Sequence, residues 1–150
     1  MLSAALKNIY ALGLGMCDGL HMGSNIHGSL VSQAVEEMMM IVEQQGGRRE
    51  TALGPAGLGD LVATAQSTNS TNYMTGNLLA QGLPPHRGSE VMNTLPCVVN
   101  IPNLSLPEFP FLQAIYRAVV QKNDPHKEML QVLLFLEHHQ SHLADRGLSA

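Results

Sequence analysis

Two short segments of this 150-residue sequence carry side chains that could support proton transfer. Lys7 lies about one turn into an apolar stretch, and a partly buried lysine can act as a general acid or polarise a carbonyl. Asp60 follows the glycine-rich run at 57–59, where the backbone can approach a ligand closely and the carboxylate can accept hydrogen bonds from hydroxyls. Each residue also has a structural interpretation, Lys7 as a surface lysine with a packed stem and Asp60 as a helix N-cap.

Two further patterns resemble binding sites, but each has a simpler explanation. The Gly-Leu-Gly run at 13–15 resembles the start of a dinucleotide fingerprint, but Asp18 occupies the place of its third glycine and no strand precedes it. His138 and His142 could share a helix face and bind a metal, although solvated residues near the chain end are the simpler interpretation. The sequence therefore predicts no metal site.

The elements that must position these residues are predicted to be helices. Apolar residues recur at three- and four-residue steps over 2–16, which predicts a first helix with one buried stripe, weakened at its far end by three glycines. A second helix should have Ser24 or Asn25 as its N-cap and end at a glycine pair. Chain-breaking residues at 53–59 predict a turn, and the helix that follows should carry Asp60 near its N-terminus.

The second half of the chain is also predicted to be helical, apart from one region that we leave unassigned. A short helix is expected at 73–81. Residues 82–103 contain four prolines, so only short helical pieces or one extended piece at 97–101 are predicted there. Further helices should follow Pro107 and begin at an Asp124 cap. Since no segment alternates convincingly like a strand, the predicted fold class is all-α.

Composition limits the class of protein. The chain is 45% hydrophobic and 13% charged with a formal net charge of −4, which indicates one domain over 1–150 and no basic surface for nucleic acid. No apolar run approaches the ~20 residues of a membrane span, so neither membrane insertion nor a signal peptide is predicted. Cys17 and Cys97 have no paired spacing and are predicted to be buried thiols in a reducing compartment such as the cytoplasm.

Three motifs, in order and at comparable spacing, resemble one enzyme family. Ala-Leu-Lys-Asn ends at Asn8, an Asp-Gly pair stands at 18–19, and Gly-Pro-Ala-Gly-Leu-Gly-Asp-Leu covers 54–61. The resemblance continues through the Gln-Gly pair at 81–82 and the segment 107–125, whereas the stretch between them matches loosely. These motifs resemble the C-terminal domain of bacterial NAD(P)-dependent glycerol-3-phosphate dehydrogenases.

The resemblance implies a fold and a reaction. Residues 1–150 would form a compact multi-helix substrate-binding domain, similar in fold to the C-terminal domain of 6-phosphogluconate dehydrogenase. The reaction would be reduction of dihydroxyacetone phosphate, a small phosphate substrate, to sn-glycerol 3-phosphate, a precursor for phospholipid biosynthesis. NAD or NADP would be bound mainly by an N-terminal Rossmann domain that we expect to be absent from this chain, so the chain alone should be inactive. A homodimer is compatible with the resemblance.

The resemblance also implies roles for five residues. Lys7 would be the catalytic lysine that protonates the developing alkoxide, with Asp60 as a second catalytic group. Asn8 and Thr64 would bind substrate. Asn72, which matches the asparagine of a family Arg-Asn pair, would contact both substrate and cofactor.

One motif departs from the family pattern. Thr71 stands where the family has the arginine of that pair, and Tyr73 and Met74 replace the basic residues that usually follow. A threonine hydroxyl cannot replace the bidentate, charge-assisted contacts of arginine with phosphate. Three arginines in other loops are candidates to replace it: Arg48, Arg49 and Arg87. The departure supports an alternative function, a diverged and non-catalytic helical module for oligomerisation or ligand binding.

Overall fold

A computed structural model describes residues 2–54, 59–65 and 70–147, and these residues fold into helices joined by loops. In chain order the helices are α1 (Leu2–Gly19), α2 (Ser24–Gln44), α3 (Arg49–Leu53), α4 (Asp60–Ala65), α5 (Thr71–Ala80), α6 (Val91–Val99), α7 (Pro110–Val119) and α8 (Pro125–Asp145), with a 3-10 turn at Leu106–Glu108. The described residues contain no strand, and the all-α prediction is confirmed. Among the same residues, no helix combines the length and apolar character needed to cross a bilayer.

Helix α1 is the centre of the core. Every residue from Ile9 to Cys17 is buried, and α2, α4, α5, α6 and α7 all pack against this helix. A helix enclosed by neighbours has to be apolar around its whole circumference, which explains why the run is nearly free of polar side chains. The prediction of a single buried stripe is therefore too narrow for the second half of α1.

Glycines of α1 allow neighbouring helices to pack against its backbone. A Cβ atom at Gly15 would lie 2.0 Å from the carbonyl oxygen of Tyr73 in α5, and one at Gly76 would lie 1.8 Å from that of Leu12 in α1. No side chain fits at either position unless the two helices separate. The predicted weakening of the helix end is wrong, because α1 continues to Gly19 with its glycines in close contact with α5 and α7. The Gly-Leu-Gly run thus serves helix packing.

The predicted helix boundaries are partly confirmed. Asp124 caps α8 as expected, since its side chain accepts a hydrogen bond from the backbone N–H of His126 at 3.0 Å. At α2, by contrast, the N-cap is Gly23 with a φ of 96°, so the predicted cap at Ser24 or Asn25 is wrong. The five-residue helix α3 was not predicted, because one turn is too short to show periodicity.

Helix α6 replaces the extended piece that was predicted at 97–101. The helix covers Val91–Val99 and contains Pro96 without ending there. A proline inside a helix removes one backbone hydrogen bond, but Leu95 and Val98 are buried on one side of α6 and their burial favours the helix. At its C-terminal end, the side-chain amide of Asn100 donates to the carbonyl oxygen of Pro96 at 2.7 Å.

Glu37 of α2 is a buried carboxylate that joins three helices. It accepts hydrogen bonds from the hydroxyl of Tyr10 at 2.8 Å and from the side-chain amide of Gln33 at 2.7 Å. It also accepts from the backbone N–H groups of Phe111 at 2.9 Å and Leu112 at 3.0 Å. These two N–H groups belong to the first turn of α7 and have no partner within their own helix, so Glu37 acts as the cap of α7.

We expect Glu37→Gln to lower the free energy of unfolding by ~1–3 kcal/mol, because the amide has one acceptor oxygen for four donors. Exposed Glu36 in the same helix provides the control, and Glu36→Gln should change stability by less than about 0.5 kcal/mol. Urea unfolding of the three proteins measures both effects. Equal losses in the two variants would contradict the role of Glu37.

The burial of Glu37 also predicts that the stability of the chain depends on pH. Burial raises the pKa of Glu37 above its ordinary value of 4.5, so the folded chain binds this proton more tightly than the unfolded chain. The stabilisation from protonation of Glu37 is fully present below pH 4.5 and is lost as the pH rises through the raised pKa. The stability difference between the wild-type chain and Glu37→Gln should therefore shrink as the pH rises above about 4.5. A difference that grows over this range would contradict the assignment.

Candidate functional site

Lys7 and Asn8 lie in the second turn of α1, and both side chains are half-buried. Leu6 before them and Ile9 after them are fully buried, which anchors this turn in the core. A lysine on an anchored helix can be positioned against a bound ligand more accurately than one in a mobile loop. The structure thus places Lys7 at the edge of the core, as the sequence predicts.

Helix α4, which begins at Asp60, packs directly against α1. Leu61 is fully buried and holds the first turn of α4 in the core. The two helices that carry the predicted catalytic residues are therefore neighbours. The side chains of Asp60 and Thr64 lie outside the described residues, as does the segment 55–58.

Asn72 lies in the first turn of α5, where the loop at 86–89 folds back onto the helix. The hydroxyl of Ser89 donates to Oδ1 of Asn72 at 3.0 Å, and the backbone N–H of His86 donates to Oγ1 of Thr75 at 3.1 Å. With its oxygen engaged, Asn72 has its amide N–H groups as donors for a ligand. A ligand at this turn would have to offer acceptor oxygens, as the hydroxyl and phosphate groups of a sugar phosphate or a dinucleotide do.

A polar cluster that was not predicted surrounds Asp18, at the C-terminal end of α1. Oδ1 of Asp18 lies 3.0 Å from Nδ1 of His27 in α2, and Oδ2 accepts a hydrogen bond from the hydroxyl of Tyr73 in α5. The potential ligand atoms of Cys17, Asp18 and His27 all lie within 4.8 Å of one another. Sulfur, carboxylate and imidazole donors suit zinc or copper, so these residues could hold a metal. The two hydrogen bonds already satisfy the carboxylate without one.

The environment of Asp18 suppresses ionisation of Cys17 and Tyr73. Burial and the adjacent carboxylate of Asp18 raise the pKa of Cys17 to about 12, so this thiol is protonated near neutral pH and is a poor nucleophile. Burial and the hydrogen bond to Asp18 also raise the pKa of Tyr73. Cys97 is exposed on α6, so the prediction of two buried thiols is wrong for this residue. Both thiols are free.

Sequence reasoning missed the cluster for a physical reason. Asp18 stands out as a charge at the end of an apolar helix, and that signal could have identified it. His27 and Tyr73 come from two other helices, and their positions in the sequence do not indicate that they meet Asp18. The Asp-Gly pair at 18–19 thus joins α1 to α2 through the carboxylate and allows close approach of α5 through the glycine.

Comparison with known proteins identifies the relatives of the chain. The family model for the C-terminus of NAD-dependent glycerol-3-phosphate dehydrogenase matches residues 1–131. A glycerol-3-phosphate dehydrogenase (NAD(P)+) of Acaryochloris marina is 36% identical over 140 residues, which cover 89% of this chain and 45% of that protein. The corresponding protein of Deinococcus radiodurans is 40% identical over 94 residues, or 63% of this chain and 29% of the relative.

A solved structure has the same fold. The crystal structure of glycerol-3-phosphate dehydrogenase from Coxiella burnetii matches with a TM-score of 0.75 at 27% identity. The match covers 89% of this chain and 44% of that one. The chain therefore spans less than half the length of the relatives that it matches.

Proposed function

Because the chain belongs to the family of C-terminal domains of NAD-dependent glycerol-3-phosphate dehydrogenases, we propose that it is the substrate-binding half of such an enzyme. The enzyme would reduce dihydroxyacetone phosphate to sn-glycerol 3-phosphate. The observation that carries the proposal is the family match over 1–131, a range that contains Lys7 and Asp60. The non-catalytic alternative has less support, because its best support is the replacement of the family arginine by Thr71.

Lys7 is the proposed general acid. Reduction turns the carbonyl oxygen of the substrate into an alkoxide, so negative charge develops on that oxygen in the transition state. A hydrogen bond from the ammonium of Lys7 stabilises this charge, and transfer of its proton completes the alcohol. Helix α1 supports this role because Leu6 and Ile9 anchor the turn that carries Lys7.

The remaining proposed residues orient the substrate. Asp60, at the start of α4, would accept hydrogen bonds from substrate hydroxyls and catalyse together with Lys7, while Asn8 and Thr64 would bind substrate. Asn72 would donate to substrate or cofactor, and its orientation towards Ser89 fits this role because, among the described residues, its oxygen has a partner and its amide N–H groups have none. NAD or NADP supplies the hydride when bound.

The expected partner is a nucleotide-binding Rossmann domain, on the same polypeptide or as a separate chain. It would hold most of the cofactor, as the family resemblance implies, and Asn72 would add a contact from this chain. We place the enzyme in the cytoplasm, in line with its two free thiols.

The test is an activity assay of the complete product of the gene with dihydroxyacetone phosphate and each nicotinamide cofactor. We expect turnover by the complete protein and none by the 150-residue chain alone. Calorimetric titration of the chain with glycerol 3-phosphate should show weak binding. Inactivity of the complete protein with both cofactors would reject the proposal in favour of the non-catalytic module.

A further inference from the structure

Arg87 lies on the loop at 86–89, which is anchored to α5 on both sides of this residue. On one side, the backbone N–H of His86 donates to Oγ1 of Thr75 at 3.1 Å. On the other side, the hydroxyl of Ser89 donates to Oδ1 of Asn72 at 3.0 Å. These two contacts hold the backbone of Arg87 beside the first two turns of α5.

The loop also contacts the position at which the family pattern has an arginine. A Cβ atom at Gly88 would lie 3.4 Å from Cγ2 of Thr71, so the Thr71 side chain faces the backbone next to Arg87 with room for no more than about one methyl group between them. Inside the loop, the N–H of Gly88 donates to Nδ1 of His86 at 3.2 Å. This internal bond stiffens the loop, and it leaves Nε2 of His86 to carry the ring proton.

The charged and polar groups around the first turn of α5 favour the binding of an anion. Arg87 is exposed, and in the described part of the chain no carboxylate pairs with its guanidinium, whereas Arg49 is paired with Glu43 at 3.2 Å. Asn72 has amide N–H groups to donate, because its oxygen is bound to Ser89. A guanidinium together with neutral N–H donors is the group that proteins use to bind phosphate oxygens.

We propose that Arg87 binds the phosphate group of the ligand, and so replaces from the loop the arginine that is missing at Thr71. This inference rests on the proposed function. Both candidate ligands, the substrate and the cofactor, offer phosphate oxygens to Arg87. Glu90, at the end of the loop, is exposed and contributes the opposite charge, so removing it should strengthen anion binding.

The test measures binding of anions to the 150-residue chain by NMR, through the backbone amide signals of the loop at 86–89 and of the first turn of α5, which every variant retains. The probes are inorganic phosphate, glycerol 3-phosphate and NAD+, with glycerol as the uncharged control. Arg87→Gln should raise the Kd for inorganic phosphate about tenfold or more, as loss of a charge-assisted fork predicts. Arg48→Gln is the matched control, because it removes an exposed arginine from another loop. It should change the Kd less than about twofold, and Glu90→Gln should lower the Kd.

The probes separate the two sources of phosphate. Dependence on Arg87 with glycerol 3-phosphate assigns the residue to the substrate, and dependence with NAD+ alone assigns it to the cofactor. Thr71→Arg added to Arg87→Gln should restore binding, because the guanidinium then returns to the same turn from the helix. If phosphate binding does not recover in this double variant, positions 71 and 87 do not serve the same phosphate site, and the proposed replacement is overturned.

Two outcomes would overturn the role of Arg87: an unchanged Kd in Arg87→Gln, or no binding of phosphate by the wild-type chain. The proposed function is judged separately, by turnover of the complete protein. If turnover is present and Arg87→Gln changes neither phosphate binding nor the KM for substrate or cofactor, only the inference about Arg87 fails. If phosphate binding depends on Arg87 and the complete protein is inactive, only the proposed reaction fails.

Discussion

Lys7→Ala in the complete enzyme should lower kcat by roughly 10²–10⁴-fold, the contribution typical of a positioned general acid. Both kcat and kcat/KM should fall, because the proposed contact of Lys7 forms chiefly in the transition state. The fold should persist, since Lys7 is half-buried and alanine is the best helix former. Steady-state kinetics and thermal unfolding of the same preparation measure the two quantities.

Two further variants test whether a loss of turnover is specific to the proton donor at Lys7. Lys127→Ala removes an exposed lysine from α8 and should leave kcat unchanged. Lys7→Arg keeps the positive charge but cannot release a proton near neutral pH, so it should preserve KM better than kcat. Normal turnover in Lys7→Ala would exclude Lys7 as the proton donor.

Gly76→Ala should destabilise the fold by ~3 kcal/mol or more, the range of substitutions that force a packed core apart. The new methyl group would lie 1.8 Å from the carbonyl oxygen of Leu12 and 2.9 Å from the backbone nitrogen of Met16. Both are atoms of the α1 backbone and cannot rotate away as the end of a side chain can. Helices α1 and α5 would have to separate along their contact, which would open the core beside Tyr73.

Gly28→Ala is the matched control for this substitution. Gly28 lies in α2, and a Cβ atom built there meets nothing within 4 Å. The change should therefore stabilise the chain by about 0.5–1 kcal/mol through helix propensity alone. Urea unfolding of both variants gives the comparison, and a loss below about 1 kcal/mol in Gly76→Ala would contradict the backbone contact between α1 and α5.

Local sequence was sufficient for much of the helical framework. The spacing of apolar residues predicted α1, α2, α5 and α7, and the Asp124 cap predicted the start of α8. Periodicity and capping involve residues within a few positions of each other, so a window of the sequence contains the complete signal. The motifs around Lys7 and Asp60 are also local, which is why the family could be recognised from them.

The folded chain was required for the contacts between distant segments. Glu37 caps α7 across 74 and 75 residues, and Tyr73 meets Asp18 across 55. Gly15 and Gly19 of α1 are weak helix formers by themselves, and they are favourable there because the backbone of α5 occupies the space that a side chain would need. Arg87 was one of three equivalent arginines in the sequence, and the hydrogen bonds of His86 and Ser89 to α5 distinguish it from the others. Each of these contacts depends on how the helices pack, and residues that are adjacent in the sequence do not determine which distant helices meet.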